Sequence, residues 1–124
     1  PLDMQAKWCA PHVAYTMSKF GMSMVMLGMA KEFAADGIAF NALWPRTTIA
    51  TAAIEFNFPE PILRASRKAA IMADAAALIF ARDSKTCSGN FFVDENVLRE
   101  AGITDFTQYA VDPTVPPFKD LFLD

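Results

Sequence analysis

Tyr15 and Lys19 are the residues of this chain best suited to chemistry. They stand four positions apart in Tyr15-Thr16-Met17-Ser18-Lys19, which puts both on one helical face. A phenol ionises near pH 10, so its anion is scarce at neutrality. An ammonium one turn away favours that anion, and a phenol so tuned can give a proton to a carbonyl oxygen or take one from an alcohol. The bland alternative is that an i, i+4 pair is an ordinary set of helix-surface neighbours. His12, one turn earlier, could line a substrate pocket or be a solvated neighbour in a first helical turn. It is the only histidine, and Cys9 and Cys87 are far apart, so no metal site is expected.

The surrounding pattern supplies the elements that must position these groups. From 11 to 36 the chain lacks an internal proline and is rich in Ala, Met, Leu and Lys, which predicts a helix. Val13, Met17, Phe20, Met24, Leu27, Ala30 and Phe33 follow helical spacing. Met22, Val25, Met26 and Met29 make the helix apolar nearly all round, so burial on more than one side is expected. Gly37 reads as the helix stop. Ile38 to Trp44 is an apolar run closed by Pro45, as expected of a strand covered on both faces. Short helices are expected near Ala52 to Phe56, Pro61 to Ala69, and Ala73 to Ala81, the last packing through Ala75, Ala76, Leu78 and Ile79. A second strand is expected at Asn90 to Asp94 and a helix at Glu95 to Ala101. The tail from Thr104, with Pro113, Pro116 and Pro117, reads as an extended strap along the surface. Two strands separated by helices imply an α/β arrangement with a parallel pair. Because an isolated parallel pair is marginal, strands this apolar belong in a larger sheet.

Composition narrows the function classes. The net charge of −3 supplies no basic field for phosphates, which argues against nucleic acid as a partner. The longest apolar stretch, Phe20 to Ala30, is too short for a bilayer, where a helix needs about 20 residues. A hydrophobic share of 53% with only 20% charged residues asks for more surface to bury against than the chain supplies, as in a protein that associates. No signal peptide is evident, so free thiols and a cytoplasmic location are expected. At 124 residues, without repeat or linker, residues 1–124 read as a single domain. The start at Pro1 is compatible with processing or with a segment of something longer.

The order of motifs resembles the C-terminal half of the short-chain dehydrogenase/reductase family. Tyr15-x-x-x-Lys19 is followed by a glycine-ended helix, Asn41-Ala42-Leu43-Trp44-Pro45, a Thr-rich loop, and Ser88-Gly89-Asn90-Phe91-Phe92-Val93-Asp94. The wording is similar to that of the hydroxysteroid dehydrogenase-like branch. The resemblance implies the C-terminal part of a doubly wound, Rossmann-type parallel-sheet domain. It implies Tyr15 as catalytic acid/base and Lys19 as the residue that tunes it and binds the nicotinamide ribose. Pro45, Thr47, Ile49 and Thr51 would face the nicotinamide end of NADP or NAD, with NADP favoured by the branch. A homodimer through the helix at 11–36 is also implied. Arg46 stands where the family has glycine, and Asp94-Glu95-Asn96 where it has Asp-Gly-Gly, a change at a strand end that need not touch catalysis. The family's glycine-rich phosphate loop and Asn-Ala-Gly motif are absent from these 124 residues, and its serine would fall just before Pro1. The chain therefore reads as a partial dinucleotide-binding domain, its substrate a small carbonyl or alcohol compound. In this truncated form inactivity is expected. A non-enzymatic dimerisation or interaction module derived from that fold is the alternative.

Overall fold

In the structure, a computed structural model that describes residues 4–123, the long run after Pro11 forms a helix over Val13–Glu32 (α2), preceded by one short turn, Ala6–Cys9 (α1). Pro1, where the sequence begins, lies outside the described residues. A 3-10 turn over Ala34–Asp36 extends α2, and Gly37 ends it with φ 71, a left-handed conformation that glycine reaches without steric penalty.

The chain divides into two compact units. Of the described residues, the first comprises 4–42, 82–92 and 121–123, the second 43–81 and 93–120. In the first unit, α2 buries Thr16, Phe20, Ser23, Met26 and Ala30, while Val13, Met17, Met22, Met24 and Val25 are exposed. Burial on more than one side is thus not what the described structure shows. A helix apolar nearly all round has no compositional preference for one face, so its packing neighbours choose it. Here the chosen stripe includes two hydroxyl residues, and Thr16 can be buried because its hydroxyl donates to the Trp8 carbonyl at 2.9 Å.

The strands are shorter than the apolar runs that predict them. Ala42–Trp44 (β1) and Phe91–Val93 (β2) form a two-stranded parallel sheet, and the division between the units crosses both. Residues 38–41 pair with residues 87–90 through side chains as much as backbone. The Phe40 N–H donates to Ser88 Oγ at 3.1 Å, Asn41 Nδ2 donates to the Cys87 carbonyl at 2.8 Å, and the Asn90 N–H donates to Asn41 Oδ1 at 3.0 Å. Asn41 thereby replaces ladder bonds, which ends the regular strand without leaving backbone groups unmet.

The second unit holds Ala52–Asn57 (α3), Glu60–Arg64 (α4), Ala70–Phe80 (α5) and Asp94–Glu100 (α6). Ile71, Ala75 and Ile79 recur every four residues on α5 and are buried; α5 packs on α6, whose Val97 and Leu98 are buried too. The short helix expected over Pro61 to Ala69 ends at Arg64, earlier than expected, because the carbonyls of residues 65–67 bond to other segments. The tail is no surface strap throughout: Phe106 and Tyr109 are buried in the second unit and Phe122 in the first. Each such ring contributes roughly 1.5–3 kcal/mol of apolar burial, which draws otherwise turn-rich chain inward.

Candidate active site

In the first unit, α2 brings Tyr15 and Lys19 together as their spacing predicts. The Lys19 ammonium lies over the Tyr15 ring, 5.4 Å from its centroid, within cation–π range. Tyr15 is 46% exposed. Ser18 Oγ donates to the Tyr15 carbonyl at 2.7 Å, satisfying a hydroxyl locally without reaching the phenol. Phe122 stacks on the Tyr15 ring with centroids 6.2 Å apart and planes at 15°. The same Phe122 ring meets Trp8 edge-on at 5.9 Å and Phe20 at 5.2 Å. His12 is exposed and is the N-cap residue of α2; its carbonyl accepts from the Thr16 N–H at 2.8 Å, and its side chain makes no cap bond.

The loop from Pro45 to Thr51, in the second unit, is held by polar contacts. The Thr48 N–H donates to the Phe118 carbonyl at 3.0 Å, the Arg67 N–H to the Thr48 carbonyl at 2.9 Å, and the Ala50 N–H to the Arg67 carbonyl at 2.8 Å. Ser66 Oγ donates to the Ile62 carbonyl at 2.7 Å, so in its 2.8 Å contact with Thr48 the Thr48 hydroxyl is the donor. Thr47 pairs with Lys119, and Ile49 with Arg67, as isolated bridges. Of the residues expected here to face a cofactor, Pro45 and Ile49 are half-buried, Thr51 is exposed as the N-cap residue of α3, and Thr47 is 3% exposed. Among the described residues the buried Thr47 hydroxyl has no hydrogen-bond partner. Such an orphan costs about 1–3 kcal/mol unless something else meets it.

Several residues that hold this loop carried little sequence signal. Asp94 Oδ1 accepts from the Arg46 N–H at 2.8 Å and from the Glu95 N–H at 2.7 Å, while its Oδ2 is buried and unpartnered among the described residues. Burial pushes the Asp94 carboxyl above the usual carboxylate range, against the two N–H donors that pull it down. Arg46 Nη2 donates to Asn96 Oδ1 at 2.9 Å, so two of the three side chains that stand where the resembled family has glycine meet each other. The change at Asp94-Glu95-Asn96 therefore bears directly on the loop.

Behind the loop, Arg67 is 8% exposed and ion-paired to Glu95, which Arg99 also reaches at 3.3 Å. Both guanidiniums lie over the Phe106 ring, at 5.1 and 4.6 Å from its centroid. The Glu95/Arg99 spacing of four was a usable signal for part of this cluster; nothing local marked Arg67. A cavity of about 170 Å³ in the same unit is lined by Ser66, Arg67, Phe106 and Asp112, among others, and by none of the sequence-predicted site residues. Among the described residues no group of three or more His, Cys, Asp and Glu is placed to hold a metal ion. No helix of the described residues is long and apolar enough to cross a membrane.

No family model matches the chain. Individual proteins do. It is 49% identical over all its 124 residues to hydroxysteroid dehydrogenase-like protein 2 of Bos taurus, of which it covers 29%. It superposes along its full length, at a TM-score of 0.92 and 46% identity, on the crystal structure of a Xanthomonas campestris protein designated a dehydrogenase, covering 45% of that chain. Against a short chain dehydrogenase of Mycobacterium thermoresistibile the TM-score is 0.86 at 40% identity, covering 44% of that chain. The chain thus spans under a third of the curated relative and under half of each solved structure.

Proposed function

From the chain's place in the short-chain dehydrogenase/reductase family, as a C-terminal part of its fold, we propose that the protein carrying it transfers hydride between NADP or NAD and a carbonyl or alcohol substrate. Tyr15 is the acid/base. The observation that carries the reading is the Lys19 ammonium over the ring of a half-exposed tyrosine. In the reducing direction the Tyr15 hydroxyl gives its proton to the carbonyl oxygen as that oxygen gains negative charge. The phenolate left behind is stabilised by Lys19 and regains a proton from solvent through the exposed side of the ring. The nicotinamide, when bound, supplies or accepts the hydride. Lys19 and the loop of Pro45, Thr47, Ile49 and Thr51 would hold its ribose and amide end. Thr51, exposed at a helix cap, is open to an arriving ligand, whereas the unpartnered Thr47 hydroxyl is buried and closed to one as the loop stands. His12 is a candidate for the substrate rim.

The test uses the intact protein with NADPH, then NADH, against a panel of aliphatic, cyclic and aromatic ketones. Turnover is expected for at least one. Tyr15→Phe should lower kcat by about 10²–10⁴-fold while cofactor binding, read by quenching of protein fluorescence, stays near the parent value. No turnover anywhere, or turnover indifferent to Tyr15→Phe, overturns the enzyme reading.

A second reading, association of copies without catalysis, is favoured by the exposed apolar side chains of α2, Met17, Met22, Met24 and Val25. Met22→Glu should then lower the sedimentation coefficient of the assembled protein. Met26 is buried within the first unit, so a charge there would test folding and not association.

A further inference from the structure

We infer that Phe122 is a positioning residue for Tyr15: its ring fixes the plane of the phenol and closes one face of it to water. The inference rests on Tyr15 being the proton donor proposed above. Among the described residues Phe122 is the one non-glycine with positive φ, at 69°. An L-residue avoids that region because its Cβ crowds the carbonyl oxygen, and for a bulky side chain it is an outlier. Strained backbone persists only where its surroundings over-determine it, and such residues gather at functional sites. What the turn achieves here is visible in the ring geometry. Phe122 is 4% exposed, lies nearly parallel to Tyr15 at 15°, and meets Trp8 and Phe20 at 61° and 57°.

Filling space by itself does not call for a ring held parallel to the phenol. A flat ring parallel to the phenol does something narrower. It resists rotation of the Tyr15 ring about its own axis, which would break the stack, and so holds the hydroxyl in one plane. Water and substrate must then reach the phenol from its uncovered side or its edge. The aromatic wall of Phe122, Trp8 and Phe20 makes the covered side apolar.

The experiment separates this role from the enzyme reading. The chain has two tyrosines, Tyr15 and Tyr109, and Tyr109 is pushed up to about 12 by burial and by Asp74. The phenolate inflection of Tyr15 is assigned by subtracting the Tyr15→Phe titration from that of the parent. In the intact protein Phe122→Leu should move that inflection by about half a pH unit or more. Where a ketone is turned over, it should lower kcat by about tenfold with the KM for cofactor within about twofold. Phe122→Trp, which restores a flat ring, should recover both. An unmoved inflection in a folded Phe122→Leu protein overturns the inference even if Tyr15→Phe is inactive. A moved inflection beside a fully active Tyr15→Phe protein retains Phe122 as the residue that sets the phenol's surroundings and overturns only the proton-donor reading. Should Phe122→Leu fail to fold, nuclear Overhauser contacts between the Tyr15 and Phe122 ring protons of the unmutated protein decide: their presence supports the stack, and their absence removes it.

Discussion

The Tyr15–Lys19 corner and the Pro45–Thr51 loop are positioned by different forces. At the corner, helix geometry sets the spacing and three aromatic contacts of Phe122 set the orientation, with Tyr15 itself about half exposed. At the loop, backbone and side-chain hydrogen bonds converge from residues 65–67, 94–96 and 118–120, backed by a buried arginine–glutamate pair. The contrast fits the roles proposed for each. A group that exchanges a proton needs a reachable polar end, whereas a loop that presents backbone and hydroxyls needs only to stay still.

Removing Glu95 is the strongest way to break the loop side of the contrast. Glu95→Ala leaves Arg67 buried without its carboxylate and should cost about 3–5 kcal/mol in urea unfolding. Lys19→Met, the matching deletion of charge at the corner, should stay within about 0.5 kcal/mol, as surface substitutions do. Equal costs would erase the distinction.

Asp94 gives the next effect. Asp94→Ala removes the acceptor of two N–H groups and should destabilise by about 1–3 kcal/mol. Its carboxyl is raised in the folded state above the ordinary 3.8, so the folded form holds that proton more tightly than the unfolded one. The contribution is complete below 3.8 and is lost as pH rises through the folded value. Asp94→Asn should abolish that part of the acid-side slope in unfolding midpoints measured across it.

Tyr109 extends the comparison to alkaline pH. Its hydroxyl donates to Asp74 at 2.7 Å, and burial first and Asp74 second push its ionisation up to about 12 from 10.0. The associated stability is present below 10.0 and is lost as pH rises toward 12, so Tyr109→Phe should flatten alkaline unfolding in that window. The smallest effect is at the exposed clasp. In a double-mutant cycle Arg46→Gly and Asn96→Gly should couple by about 0.5 kcal/mol or less, through the single bond between them. Zero coupling would mean the two residues meet without stabilising each other.

What could be read from the sequence divides along the same line. Periodicity was enough for α2 and α5, and i, i+4 spacing for the Tyr15–Lys19 contact, because these depend on backbone geometry within one element. The limits of β1 and β2 were overestimated because Asn41 ends the backbone ladder with its side chain, a choice that depends on residues 87–90. Thr51 looked as good a ligand for a cofactor as Thr47. Only packing distinguishes the exposed cap residue from the buried, unpartnered hydroxyl. Arg67 and Phe122 gave no local signal at all, since what marks them is an ion pair across 28 residues and a stack across more than a hundred.

Sequence alone was therefore sufficient for the spacing on which the proposed chemistry rests: a phenol and an ammonium one helical turn apart, then a Thr-rich loop after a proline-terminated strand, are local facts of residue type and order. Which face of α2 is buried, which hydroxyl of the loop is left without a partner, and which ring covers Tyr15 came from the fold. Those are choices among near-equivalent residues, and they turn on contacts between segments far apart in the chain, whose energies no local pattern records.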